Sequence, residues 1–301
     1  MKIGILGGGF GLYGYLPSLI SGGHHVLLPA RYLERVQRRD DIRSLGAGVE
    51  WSVDEKAMLQ RCVGVVVALP PTEQRRWVEQ CLVHENIRYL FLEKPLDVSP
   101  ALADVLLDKL KESGRDFEVG YHFRYTDWGK ALLRSSEGAQ RIDWRFRAHH
   151  YARAVDTWKR RPAEGGGALR FYGIHLVALL AELGYDAVAA SEILSTRSGE
   201  AEAWRATMTG ERLPPCRVDV NSDTDTTEFV VCDGEGGVTR LTDPFQGRAD
   251  PQPGMDRRVP FLVDGLREAI ASPRRGDNLY RRVNRLWASI EEAADRRRSE
   301  R

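Results

Sequence analysis

The chain opens MKIGILGGGFGLYG (residues 1–14). Ile3, Ile5 and Leu6 make a short apolar run that reads as a strand, and the glycines behind it pose a question of register. A G-x-G-x-x-G pattern can be laid on Gly9, Gly11 and Gly14, or on Gly7 and Gly9 with its third position at Leu12. The first glycine of such a turn belongs at the strand end, where the chain reverses tightly. The second leaves the backbone bare, so that a phosphate can approach it. With the strand ending at Leu6, the register starting at Gly9 begins too far along. Gly7 and Gly9 therefore take these roles, and the next helix starts near Gly11 with its first amides turned toward an anion. Leu12 departs from the small residue that usually lets helix and strand pack closely.

Outward from this turn, strands and helices alternate. Strand His25–Leu28 precedes helix Leu33–Arg39, and helix Asp54–Gln60 has Asp54 as its N-cap. GVVVAL (64–69) is the apolar, β-branched run of a strand buried on both faces. Helix Thr72–His84, strand Arg88–Leu92, helix Pro100–Glu112 and strand Phe117–Gly120 follow. The pattern predicts an α/β fold with a Rossmann dinucleotide-binding domain over 1–120. The remainder changes character. Strand Asp143–Tyr151 and a helix through GGGALRFYGIHLVALLAEL (165–183) lead into strands Ala187–Arg197, Ala203–Thr209, Arg217–Asn221, Thr226–Cys232 and Val238–Thr242. GEGG (234–237) signals a hairpin. Helices Arg257–Ala271 and Asp277–Arg297 close the chain. Residues 121–301 thus read as an α+β domain built on a mostly antiparallel sheet.

The end of the second strand bears on the cofactor. An acid there holds the ribose hydroxyls of NAD, whereas a base suits the 2′-phosphate of NADP. The stretch HVLLPARYLERV puts Arg31 at that point, which favours NADP(H) and keeps NAD(H) possible.

Composition removes other classes. The 301 residues carry 44 basic and 43 acidic side chains, a net charge of +1, which gives no electrostatic case for nucleic acid. Arginines outnumber lysines 37 to 7, so each lysine stands out, and the basic tail RRRSER reads as a solvated helix end. No apolar run approaches the roughly 20 residues of a membrane span. Ile3–Leu6 is too short for a secretory signal, which predicts a cytoplasmic protein. Cys62, Cys81, Cys216 and Cys232 stand far apart, as buried thiols do, and no metal site is expected.

GILGGGFGLYGYLPSL, VVVALPPTEQ, FLEKPL, VGYHFRY and GGGALRFYGIHLVALL together resemble the Gfo/Idh/MocA family, relatives of glucose-fructose oxidoreductase and inositol dehydrogenase. The resemblance covers roughly residues 1–185. It implies cofactor binding by Gly7, Gly9, Phe10, Gly11, Arg31, Leu69, Pro70, Glu93, Lys94, Pro95 and His122. It implies Lys94 and His175 as catalytic groups, with Lys94, His122, Trp158, Phe171, Tyr172 and His175 on the substrate. It also implies that the sheet of residues 121–301 is open, that this domain serves substrate binding and oligomerisation, with the site between the two domains, and that a homodimer or homotetramer forms through that sheet.

The departures from that pattern carry as much weight. Relatives usually have aspartate where this chain has Phe171, a second aspartate at Ala178, and histidine at Gln74. A histidine oriented by a carboxylate is a good base for oxidising a sugar hydroxyl. Without the carboxylate, the burden moves to Lys94, whose burial after a strand lowers the cost of giving up its proton. These residues predict an NADP-dependent oxidoreductase reducing a carbonyl or imine in a small biosynthetic intermediate. A sugar or cyclitol dehydrogenase, a non-catalytic nucleotide-binding relative and a redox-neutral enzyme that uses bound nicotinamide are the alternatives. His149 and His150, read as strand neighbours of Tyr151, face opposite ways on that reading.

Overall fold

The computed structural model describes residues 1–248, 254–272 and 278–299. Its first half runs β1 (Lys2–Leu6), a π turn Gly11–Tyr15, α1 (Leu16–Ser21), β2 (His25–Pro29), α2 (Leu33–Gln37), β3 (Val49–Ser52) and α3 (Glu55–Leu59). Then come β4 (Gly64–Val67), α4 (Pro71–Leu82), β5 (Tyr89–Leu92), α5 (Pro100–Glu112) and β6 (Asp116–Val119). The six strands are all parallel, in the order β3-β2-β1-β4-β5-β6. Parallel strands need crossovers, and the helices that provide them cover both faces. That is why β1 and β4 bury Ile3, Ile5, Val65, Val66 and Val67 completely. The strand order reverses between β1 and β4, which makes a crevice at the carboxyl ends of the strands where α/β sheets bind ligands.

The chain continues through α6 (Asp127–Arg134), β7 (Ala139–Arg147), α7 (His149–Ala152), a second π turn Ala168–Gly173 and α8 (Ile174–Leu183). It ends with β8 (Ala187–Leu194), β9 (Ala203–Gly210), β10 (Leu213–Asn221), β11 (Asp223–Asp233), β12 (Val238–Leu241), α9 (Val259–Ala271) and α10 (Leu279–Ser299). The second sheet, β12-β11-β7-β10-β9-β8, is antiparallel except for the parallel pair β7/β10. The hairpin of β11 and β12 turns through GEGG. There Asp233 Oδ1 accepts from the amides of Glu235 and Gly237. Helix α8 is buried on all sides from Ile174 to Ala181, the mark of a helix inside a core rather than on a surface.

Two compact units result, and they do not follow a division at residues 120 and 121. The first comprises Met1–Leu96, Leu106–Tyr125 and Gly247–Asp277, the second Asp97–Val105, Thr126–Gln246 and Asn278–Arg301. The cause is α9. Its Leu262, Leu266 and Ala269 lie in one buried cluster with Ile3, Ile5, Leu16, Leu19 and Phe91, so a helix from late in the chain completes the core of the first unit.

Other elements also differ from the sequence reading. Strand β3 has no separate signal in the sequence. It is four residues, VEWS, at the sheet edge, and its pairing with β2 defines it. The segment with His149 and His150 is helix, not strand. Ladder pairing with β11 ends at Arg147, the Ala148 amide bonds to Ser222 O, and the chain then coils through α7. Asp54 caps α3 as its position predicts, accepting from the Ala57 amide at 2.7 Å. The expected start of the last helix at Asp277, and the final two residues of the basic tail, lie outside the described residues. Cys62, Cys81 and Cys216 are buried free thiols and Cys232 is half-buried. Among the described residues, no helix is long and apolar enough to cross a membrane.

Candidate functional site

In the first unit, the turn after β1 is built around Gly7. Its φ is +138°, and a Cβ there would collide with the Ala68 carbonyl oxygen. The Gly7 amide donates to the Tyr32 hydroxyl at 2.9 Å. Gly9 is different: among the described residues, a Cβ built on it meets nothing within 4 Å. A backbone that a pyrophosphate must approach closely has this bare character. Gly11 carries the close packing expected of the third fingerprint position, since its Cβ would stand 2.9 Å from Ile5 Cγ2, while Leu12 beside it is buried. Past Ala68 at the end of β4, Leu69 and Pro70 lead into α4. Strand end, bare loop and flanking β4 turn together fit the phosphates of a dinucleotide.

Four arginines surround this loop. Arg31 pairs with Glu55 and donates to the Tyr32 hydroxyl at 3.0 Å. Arg39 stacks on Tyr13 and pairs with Asp41. Arg258 lies 4.0 Å above the Phe10 ring and makes two bonds of 2.8 Å to Asp256. Burial would raise the Asp256 carboxyl, but this guanidinium outweighs it and holds the group below the usual carboxylate range. The fourth is Arg35, against Gly8.

Beyond β5 the chain reads Glu93-Lys94-Pro95, all three buried, with the Lys94–Pro95 peptide cis. Gln74, from α4, holds this turn from behind. Its Nε2 donates to the carbonyl oxygens of Glu93 at 2.6 Å, Leu96 at 3.2 Å and Pro95 at 3.3 Å. The Glu93 carboxylate accepts from the Tyr15 hydroxyl at 3.1 Å and bonds His122 Nε2 at 3.2 Å. Burial would raise Glu93, but the His122 hydrogen bond and the charge of Lys94 bring it below its ordinary value. Burial lowers His122 despite Glu93, and burial with the Glu93 charge raises Tyr15 well above a normal phenol. The imidazole of His122 lies 6.2 Å from the Phe10 ring, so the turn after β6 meets the glycine loop.

The second unit gathers the other residues singled out in the sequence. Trp158 meets Phe171 edge-on at 5.2 Å, Phe171 meets Tyr172 at 4.7 Å, and Tyr172 stacks on His150 at 6.2 Å. The Lys159 ammonium lies 5.2 Å over the Phe171 ring. At Phe171 the chain therefore has an aromatic face beneath a cation. His175 is buried in the first turn of α8 with the Phe245 ring 6.4 Å away, and the buried Ala178 lies one turn on. His150 is buried, and among the described residues its Nε2 has no hydrogen-bond partner. Burial, then the charges of Lys159 and Arg160, push it down to about 4. Among the described residues, no three His, Cys, Asp or Glu side chains are grouped as a metal site requires.

No family model matches the sequence, and no curated protein matches it. Solved structures do. The NAD binding oxidoreductase from Klebsiella pneumoniae superimposes with a TM-score of 0.73 at 14% identity, covering 99% of this chain and 97% of that one. GenD2 from gentamicin A biosynthesis, solved with NAD, gives 0.71 at 18%, covering 98% and 94%. The WlbA dehydrogenase from Bordetella pertussis, solved with NADH and UDP-GlcNAcA, gives 0.70 at 17%, covering 98% and 96%. This chain has their fold.

Sequence reasoning missed Tyr15, Tyr32, Arg35 and Arg258. Arg35 stands one helical turn after Arg31, a spacing that places both on one face of α2 and its approach, and that signal was readable. Arg258 had none, because its partner Phe10 lies at the other end of the chain.

Proposed function

We propose that this protein is a nicotinamide-dinucleotide-dependent oxidoreductase that favours NADP(H) and reduces a carbonyl or imine in a small biosynthetic intermediate. The observation that supports it most is Lys94, buried directly behind β5 at the carboxyl end of a parallel sheet whose first turn is a bare glycine loop. Gly7, Gly9 and Gly11 hold the pyrophosphate, and Phe10, Leu69, Pro70, Glu93, Pro95 and His122 line the rest of the dinucleotide site. When bound, the dinucleotide supplies or accepts a hydride. The ammonium of Lys94 then donates the proton at the substrate oxygen or nitrogen, or orients that atom. Glu93 beside it, fixed by Tyr15 and His122, keeps a negative charge next to the lysine, and Gln74 fixes the backbone that carries it. In the second unit, Trp158, Phe171, Tyr172 and His175 are the substrate-binding side chains, with His175 the second proton-handling group.

A second reading, oxidation of a sugar hydroxyl, draws support from the UDP-GlcNAcA named with the Bordetella pertussis dehydrogenase. The charged, partly exposed face of the second sheet, with Arg141, Asp143, Arg145, Arg205 and Arg217, is the surface we propose for self-association.

Calorimetric titration of the purified protein with NADPH and NADH tests the cofactor reading, and failure to bind either one ends it. A panel of oxidised intermediates and nucleotide sugars, followed by nicotinamide absorbance, then separates reduction from oxidation. On the substrate found, Lys94→Met is expected to lower turnover about 10²–10⁴-fold with dinucleotide affinity little changed. Turnover at the parent rate assigns the lysine a structural role.

A further inference from the structure

Arg31 stands where a 2′-phosphate ligand is expected, but its surroundings do not favour an anion. Its guanidinium is paired with the Glu55 carboxylate, which is largely shielded from solvent and would repel a phosphate brought alongside it. Arg39 and Arg258 likewise face Asp41 and Asp256. At the C-terminal end of α2, Arg38 is paired with Glu34. Arg35 alone among the arginines around the loop has no hydrogen bond or ion pair within the described residues. It projects from α2 onto the loop: a Cβ on Gly8 would collide with Arg35 Nη1 and stand 3.1 Å from Tyr32 Cε1. The bond from the Gly7 amide to the Tyr32 hydroxyl ties the start of α2 to the same turn. In this fold the adenosine ribose lies between the first turn and the end of the second strand, the two elements that Arg35 bridges.

We infer that Arg35, and not Arg31, is the residue that reads the 2′-phosphate of NADP(H) and sets cofactor preference. The inference rests on the dinucleotide reading above and sharpens it to one side chain. A guanidinium with no carboxylate on it presents its full fork of donors to a phosphate, whereas the adenosine 2′-hydroxyl of NAD offers it no charge.

The test is calorimetry on the apoprotein with NADPH, NADH and adenosine 2′,5′-bisphosphate, for the parent, Arg35→Ala, Arg35→Glu and Arg31→Ala. The parent is expected to bind NADPH more tightly than NADH. Arg35→Ala should weaken NADPH and the bisphosphate about 10–100-fold while NADH moves less than about threefold, the span of one charge-assisted contact. Arg35→Glu should weaken the phosphorylated ligands further, and Arg31→Ala should move none of them more than about threefold. Equal weakening of NADPH and NADH in Arg35→Ala, no effect there, or a parent that prefers NADH overturns the inference while the dinucleotide reading stands. A parent that binds neither dinucleotide overturns that reading itself. Arg35 is exposed, so the variants are expected to melt within about 2 °C of the parent.

Discussion

Glu93 and His122 share one hydrogen bond of 3.2 Å between carboxylate Oε1 and imidazole Nε2, and both side chains are buried in the first unit. The bond is the largest of the interactions that favour the charged form of Glu93. Burial alone would raise its carboxyl, and His122, followed by Lys94, reverses that direction. His122→Phe keeps the shape and removes the donor. In the variant the Glu93 carboxyl moves up from its parent value, so folding gains less from it at pH 7, and the difference shrinks as the pH falls and the carboxyl takes a proton in both proteins. The expected loss is about 1–3 kcal/mol at pH 7 and less near pH 4. Thermal melts of parent and variant at both values check the direction: a constant difference between the two proteins would separate Glu93 from His122.

His150 makes the second unit sensitive to acid. Its folded value, about 4, lies below the ordinary 6.5, so the unfolded chain binds a proton that the folded chain refuses between these values. The contribution is whole above pH 6.5 and is lost as the pH falls toward 4. It amounts to about 2–3 kcal/mol. His150→Gln is expected to flatten the fall in urea midpoint between pH 7 and pH 4. An unchanged slope would place the titration elsewhere.

Gln74 presents one amide nitrogen to three carbonyl oxygens. Gln74→Ala leaves these oxygens without that donor in a buried turn and is expected to cost about 2–3 kcal/mol in urea denaturation. Gln74→Glu replaces the donor with an acceptor facing the same oxygens and should cost more. If the two variants are equal, the amide is filling space and not holding the turn.

Gly7 and Gly9 should separate folding from binding. Gly7→Ala meets both a left-handed backbone and the Ala68 carbonyl, so the melting temperature should fall by the equivalent of about 1–3 kcal/mol. Gly9→Val meets open space and should leave the melt within about 0.5 kcal/mol of the parent. The same valine covers the bare backbone, so dinucleotide titration of that folded variant should show no binding. Normal affinity in Gly9→Val would mean that the phosphates do not use this loop.

The sequence by itself determined the elements whose signals are local. Ile3 to Leu6 followed at once by Gly7 defines a strand ending in a tight turn, because only a glycine accepts that φ. GVVVAL defines a strand with no wet face, and Asp54 caps the helix that it precedes. It also picked out Lys94, since a lysine between a buried strand and a proline is conspicuous among seven. What depended on partners far along the chain was out of reach. Strand β3 exists because β2 lies beside it, and α9 belongs to the first unit because its apolar face finds Leu16 and Ile5. Gln74 is shown holding the Glu93 turn only once α4 lies against it. Arg31 and Arg35 illustrate the same limit one turn apart. Both are arginines of equal charge near the end of β2, and the sequence singled out Arg31 alone, by its place just after the strand. Tertiary packing brought Glu55 onto one and Gly8 under the other, and an ion pair between residues 24 apart is a property of the folded chain, not of its local composition.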